Sequence, residues 1–223
     1  MSGPLIQLYN GLTQGRPDIA LAGLVVGVLL ILICFPVHEF SHAWAATALG
    51  DDTARQMGRL TLNPLAHLDP IGSVLFLLTG FGWAKPVPVS VYRLNGNYRT
   101  SYALVSLAGP ASNIVLAIIF ALLFRILAPT LATSSSMLAS VIVYGLEIAV
   151  FLNMILALFN LIPVPPLDGS RILAAILPDS GAFILDQLER YGMFVVLLLS
   201  VSGILGPIII GPANRITSLL LGV

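Results

Sequence analysis

His38, Glu39 and His42 stand in the order His-Glu-Phe-Ser-His. On a helix, residues four apart lie one turn apart on the same face, so both imidazoles can reach one metal ion. Zinc takes such nitrogen ligands readily, and a carboxylate beside the first histidine can accept a proton from water. The spacing therefore points to metal-assisted hydrolysis, with His38 and His42 as ligands and Glu39 as general base. The bland alternative is a polar cluster hydrogen-bonded inside a helix bundle, with Glu39 as its ion partner. That alternative leaves ionisable groups in an apolar stretch without a function, where they are costly.

A catalytic zinc site takes a further protein ligand and keeps one position open. Asp168, His67, Asp69, Glu147 and Cys34 are the candidates. Asp168 follows Pro163-Val164-Pro165-Pro166-Leu167, where successive prolines forbid continuous helix, and precedes Gly169. Open backbone there lets a carboxylate turn inward; the competing assignment is a cap for a short helix predicted over 170–177. Cys34 lies one turn before His38, but eight helical residues put it about 12 Å from His42, too far for one ion to hold all three. His67 sits in the turn-rich stretch from Asn63 to Pro70, where a hydrogen bond that holds the turn accounts for it. Glu147 reads as an intramembrane acid whose partner the sequence does not identify.

The elements that must position these residues are written in lipid-compatible composition. Of 223 residues, 57% are hydrophobic and only 9% charged, and the mean hydropathy is +0.98. A soluble domain carries roughly 25% charged residues, so the solvent of this chain is largely lipid. Ten basic and ten acidic residues cancel, which leaves no basic field for nucleic acid. One cysteine excludes an internal disulfide. Long apolar runs at Ile19–Val37 (continuing to Gly50), Tyr102–Leu127, Met137–Ile162 and Met193–Ile210 predict four transmembrane helices. Ile71–Gly82 is too short to span and reads as re-entrant. Alternation at Val87, Val89 and Val91 suggests an edge strand in which Pro86 and Pro88 are tolerated. Pro36, just before the histidine pair, is expected to bend its helix. The prediction is an all-α polytopic membrane protein, about four transmembrane helices plus a short membrane-embedded re-entrant/β segment, in one domain over 1–223.

Basic residues set the orientation. Arg55, Arg59, Lys85, Arg93, Arg99, Arg171 and Arg190 fall on one side of these spans, and Arg16, Arg125 and Arg215 on the other. The richer side is expected in the cytoplasm of a prokaryotic inner membrane, with the site opening toward it.

The chain resembles the site-2 proteases, intramembrane zinc metalloproteases that cut transmembrane segments. The resemblance rests on His38–His42, the Asn63–Gly72 turn, Gly82-Trp83-Ala84-Lys85-Pro86-Val87-Pro88-Val89, Gly109-Pro110-Ala111-Ser112-Asn113, and Asn160 through Gly169. It implies that His38, His42 and Asp168 bind one zinc ion per chain and that Glu39 is the base. It also implies that Asn160 and Asn113 lie beside the site, where an amide could steady a peptide carbonyl or its oxyanion. For Asn113 an interhelical hydrogen bond competes with that role. The Trp83–Val91 stretch would match a membrane-embedded segment able to pair with an unwound substrate. The implied partners are transmembrane protein substrates and the lipid bilayer, not nucleic acid; oligomeric state stays open. Many members carry a PDZ or CBS domain, for which this chain has no long insertion or tail, so its membrane core is expected to screen substrates. A zinc transporter and a silent helix-binding scaffold are the rivals. Neither needs a carboxylate inside the histidine pair.

Overall fold

The computed structural model describes residues 3–223. The first apolar run is one helix, α2 (Pro17–Ala48), preceded by α1 (Pro4–Thr13), which packs along it. A π turn occupies Leu30–Cys34 and ends two residues before Pro36. A proline inside a helix clashes with the carbonyl four residues back and offers it no donor. The π turn spans Leu32, whose carbonyl loses that donor, and α2 runs on to present His38, Glu39 and His42.

The re-entrant element is α3 (Pro70–Thr79). Asp69 caps it by accepting from the Gly72 N–H at 2.8 Å, and Gly80 ends it at φ 78°. Ten helical residues reach about 15 Å, half a bilayer core. The expected β segment is corrected. Among the described residues there is no strand, only an isolated antiparallel bridge between Leu68 and Ala84, and Val91–Arg93 already turn as 3-10 helix. Residues 85–90 form no ladder, and few of their donors are left for one. Prolines 86 and 88 have none, while the N–H groups of Val87 and Ser90 go to the Glu39 and Asp51 carboxylates.

Two long spans follow, α4 (Tyr98–Leu131) and α5 (Met137–Asn160), the first capped by the Asn97 side chain. The proline run then gives way to α6 (Asp168–Ile176), two residues ahead of its predicted start, and to α7 (Asp179–Glu189). The fourth apolar run is divided between α8 (Gly192–Val201) and α9 (Leu205–Leu221). They meet at a 73° bend, with Gly203 at φ 76° between them. Among the described residues, three helices are thus long and apolar enough to span, four if the bent pair counts as one.

Small residues let the spans approach closely, as membrane packing requires. Ala117 and Ala121 of α4, Val150 and Met154 of α5, and Ala213 of α9 form one buried cluster; Val26, Leu30, Ile31, Cys34 and Phe35 of α2 form another with Phe76 and Ala149. Outward, α4 presents Leu122 at 56% and Ile126 at 69% exposure. In water such a face would be destabilising, whereas hydrocarbon solvates it.

Candidate metal centre

Helix α2 brings the two imidazoles together as the spacing predicts, Nε2 to Nε2 at 3.1 Å. His38 and His42 are both buried. Each ring is pinned through its other nitrogen. His38 Nδ1 lies 2.7 Å from Asn113 Oδ1, and His42 Nδ1 donates to the Val105 carbonyl at 2.8 Å. Both partners stand on α4. The Gly109 backbone lies against the rings, and a Cβ there would fall on His42 Nε2 and on Cε1 of both histidines. Glycine at this position permits the close approach.

Asp168 is the first residue of α6, and Leu167, not Asp168, occupies the cap position. Its Oδ2 is buried without a hydrogen-bond partner and lies 3.4 Å from His38 Nε2 and 3.3 Å from His42 Nε2. This separates the ligand assignment from the cap assignment: the carboxylate faces the imidazoles. Gly169 makes the turn possible, because a Cβ there would overlap the Leu161 carbonyl.

Three atoms with lone pairs thus converge, an arrangement that a cation between them would stabilise. Four-coordinate zinc with ligands at about 2.0–2.1 Å sets its ligand atoms about 3.3–3.4 Å apart. The observed 3.1, 3.3 and 3.4 Å separations fit that ion. Among the described residues these three are the group able to hold a metal.

The other candidates lie apart. His67 is fully buried and its Nε2 meets the Thr61 carbonyl at 2.7 Å, holding the turn. Asp69 caps α3. Glu147 is exposed on α5. Cys34 is buried, with its Sγ 3.4 Å from Asn153 Nδ2.

A cavity of about 140 Å³ opens beside the cluster, bordered by Glu39, Val87, Val89, Asn160 and Arg171. Asn160 spends one donor on the Leu156 carbonyl at 2.9 Å. Asn113 is fully buried, and both ends of its amide are engaged, by His38 and by Asn153. Of the two asparagines expected beside the site, Asn160 borders the cavity and Asn113 supports a ring.

Sequence reasoning passes over several residues that complete this setting. Arg59, 7% exposed, donates to the carbonyls of Lys85 and Pro86. Burial holds its pKa below the usual guanidinium value, and the Glu39 charge offsets only part of that. Asp51 is fully buried and accepts from Ser90 N–H at 2.6 Å. Together they hold the segment at residues 85–90 against Glu39. Arg171 approaches the outer oxygen of Asp168 at 3.9 Å, stacks over Tyr102 and pairs with Glu189 at 3.4 Å. Arg59 and Asp51 do carry a signal, a charge flanking an apolar run, but nothing local distinguishes them from solvated surface.

Several known proteins are similar to this chain in sequence. The family described as peptidase family M50 matches residues 125–203, a stretch holding Asp168 but not the histidine pair. The chain is 45% identical over 179 residues to "Putative zinc metalloprotease YwhC" of Bacillus subtilis (strain 168), covering 78% of this chain and 80% of that protein. It is 32% identical over 187 residues to "Putative zinc metalloprotease Rip2" of Mycolicibacterium smegmatis, covering 80% and 67%. It is 28% identical over 159 residues to "Putative zinc metalloprotease MJ0611" of Methanocaldococcus jannaschii, covering 70% and 73%. No solved structure matches the chain.

Proposed function

This chain belongs to peptidase family M50, the site-2 protease family, and from that premise we propose that it is a zinc endopeptidase cutting within or near transmembrane segments of other membrane proteins. The convergence of His38 Nε2, His42 Nε2 and Asp168 Oδ2, with Glu39 adjoining, carries the reading. Those three residues would hold one zinc ion per chain, and zinc supplies Lewis acidity to a scissile carbonyl and makes water more acidic. Glu39 accepts the water proton and returns it to the leaving amine. One of its oxygens, Oε2, is held by Val87 N–H at 3.1 Å, so Oε1 is the proton carrier. Asn160 keeps a second amide N–H for the carbonyl oxygen, where developing charge needs a donor.

Depth supports cleavage inside the membrane. His38 precedes the end of α2 at Ala48 by ten residues, about 15 Å. A peptide bond there is inaccessible while its segment is helical, so the substrate must unwind, and each unpaired backbone group in hydrocarbon is costly. Val89 borders the cavity, and among the described residues its N–H and carbonyl engage no protein partner. An unwound substrate can recover hydrogen bonds there although the segment has no ladder of its own. The basic-rich side, and with it the site's opening, faces the cytoplasm.

Glu39→Gln tests the reading. The variant should keep near-stoichiometric zinc and lose cleavage, read by mass spectrometry of membrane peptides from cells carrying each form. Loss of zinc together with activity would make Glu39 a ligand or fold element. Zinc flux in proteoliposomes without peptidase activity would favour a transporter.

A further inference from the structure

We propose that Asn153 is a positioning residue for the metal site, acting through Asn113 to keep the His38 proton on Nδ1. The inference rests on the metal site of the proposed function and adds to it a residue that no ligand touches.

The four groups form a chain with one permitted direction. Asn153 is fully buried on α5, and its Nδ2 lies 2.9 Å from the Ala149 carbonyl. A carbonyl oxygen only accepts, so the amine end of Asn153 must be the end that faces it. The second hydrogen of the same nitrogen points to Cys34 Sγ at 3.4 Å. Asn153 Oδ1 is then left to accept from Asn113 Nδ2 at 3.1 Å. That choice turns Asn113 Oδ1 toward His38 Nδ1 at 2.7 Å. Because an amide oxygen only accepts, His38 carries its hydrogen on Nδ1 and offers the bare Nε2 lone pair to a metal.

Reversing either amide would set two donors or two acceptors face to face. Asn113 and Asn153 are both 0% exposed, so water could not relieve the conflict. His42 reaches the same tautomer by a shorter route, directly from the Val105 carbonyl. His38 faces an amide, which could present either end, and so it needs a second amide to set the direction. Hydrogen bonds between membrane helices contribute modestly to stability. The consequence of this chain therefore lies in metal affinity, where partners that orient a ligating histidine typically change binding about 10- to 100-fold.

The experiment measures zinc affinity of the purified full chain by chelator competition, alongside the melting temperature of the zinc-free form. Asn153→Ala should weaken zinc binding about tenfold or more, with little change in zinc-free melting. Asn153→Leu, closer in volume, should do the same if the alanine variant folds poorly. An aspartate side chain only accepts, so Asn113→Asp should fix Nδ1–H without help. In the Asn113→Asp background, Asn153→Ala should cost no further affinity. Unchanged zinc affinity in Asn153→Ala, or an equal loss in both backgrounds, overturns the relay and leaves Asn153 as interhelical glue. Absence of zinc binding by the unaltered chain overturns the metalloprotease reading itself, and the relay with it.

Discussion

The main-chain N–H of Val87 donates to Oε2 of Glu39 across 3.1 Å. The Glu39 carboxylate is thereby oriented by the segment that borders the cavity, and that segment is itself braced by Arg59 and Asp51. Glu39 and the segment lining the cavity are therefore tied together by hydrogen bonds.

Val87→Pro removes that donor without touching a metal ligand. A hydrogen bond to a charged group contributes about 1.5–3 kcal/mol, so kcat should fall about 10- to 100-fold while zinc content holds. Metal analysis beside a cleavage assay reads both. Zinc loss would mean that the segment supports the ligands rather than the base.

Gly109→Ala tests the close approach of α4 to the histidines. The added methyl would overlap His42 Nε2 and the Cε1 atoms of both rings. Zinc affinity should drop by at least the 10- to 100-fold typical of displaced supporting contacts, and titration with a chelator measures it. Tight zinc binding in this variant would contradict the packing of α4 on α2.

Asp168→Ala should lower zinc affinity more steeply than any change outside the ligand set, since two neutral imidazoles alone make a weak site. Asp168→Asn should be intermediate. Adding zinc should raise the melting temperature of the unaltered chain, because a ligand that joins α2 to α6 favours the folded state, and should raise that of the alanine variant far less. Full occupancy in Asp168→Ala would assign the third position elsewhere.

Orientation is tested with cysteines placed at Asp52 or Arg93 in a Cys34→Ala background. An impermeant thiol reagent applied to whole cells should leave both unlabelled and should label a cysteine at Ser134. The opposite pattern would turn the site's opening outward and overrule the basic-residue asymmetry.

Local spacing determines what a helix puts on one face, and so His38, Glu39 and His42 could be read directly from their order. Composition settled the solvent, since 57% hydrophobic and 9% charged residues leave water no role as the main surroundings. The proline run likewise announced an unwound turn at Asp168. What spacing could not decide was which distant group meets the histidines, because Asp168, His67, Asp69 and Glu147 all had suitable chemistry. Tertiary packing chose among them: α6 starts at Asp168 and aims it inward, while Asp69 and His67 are consumed by a cap and a turn. The alternation at Val87–Val91 suggested a strand, but a strand needs a neighbour, and the donors of Val87 and Ser90 were claimed by Glu39 and Asp51. Asn113 and Asn160 were equivalent amides in the sequence. Helix rotation in the bundle turned one onto a ring and the other to the cavity, and rotation is set by which small residues let the helices meet, a property of the assembled bundle rather than of any one segment.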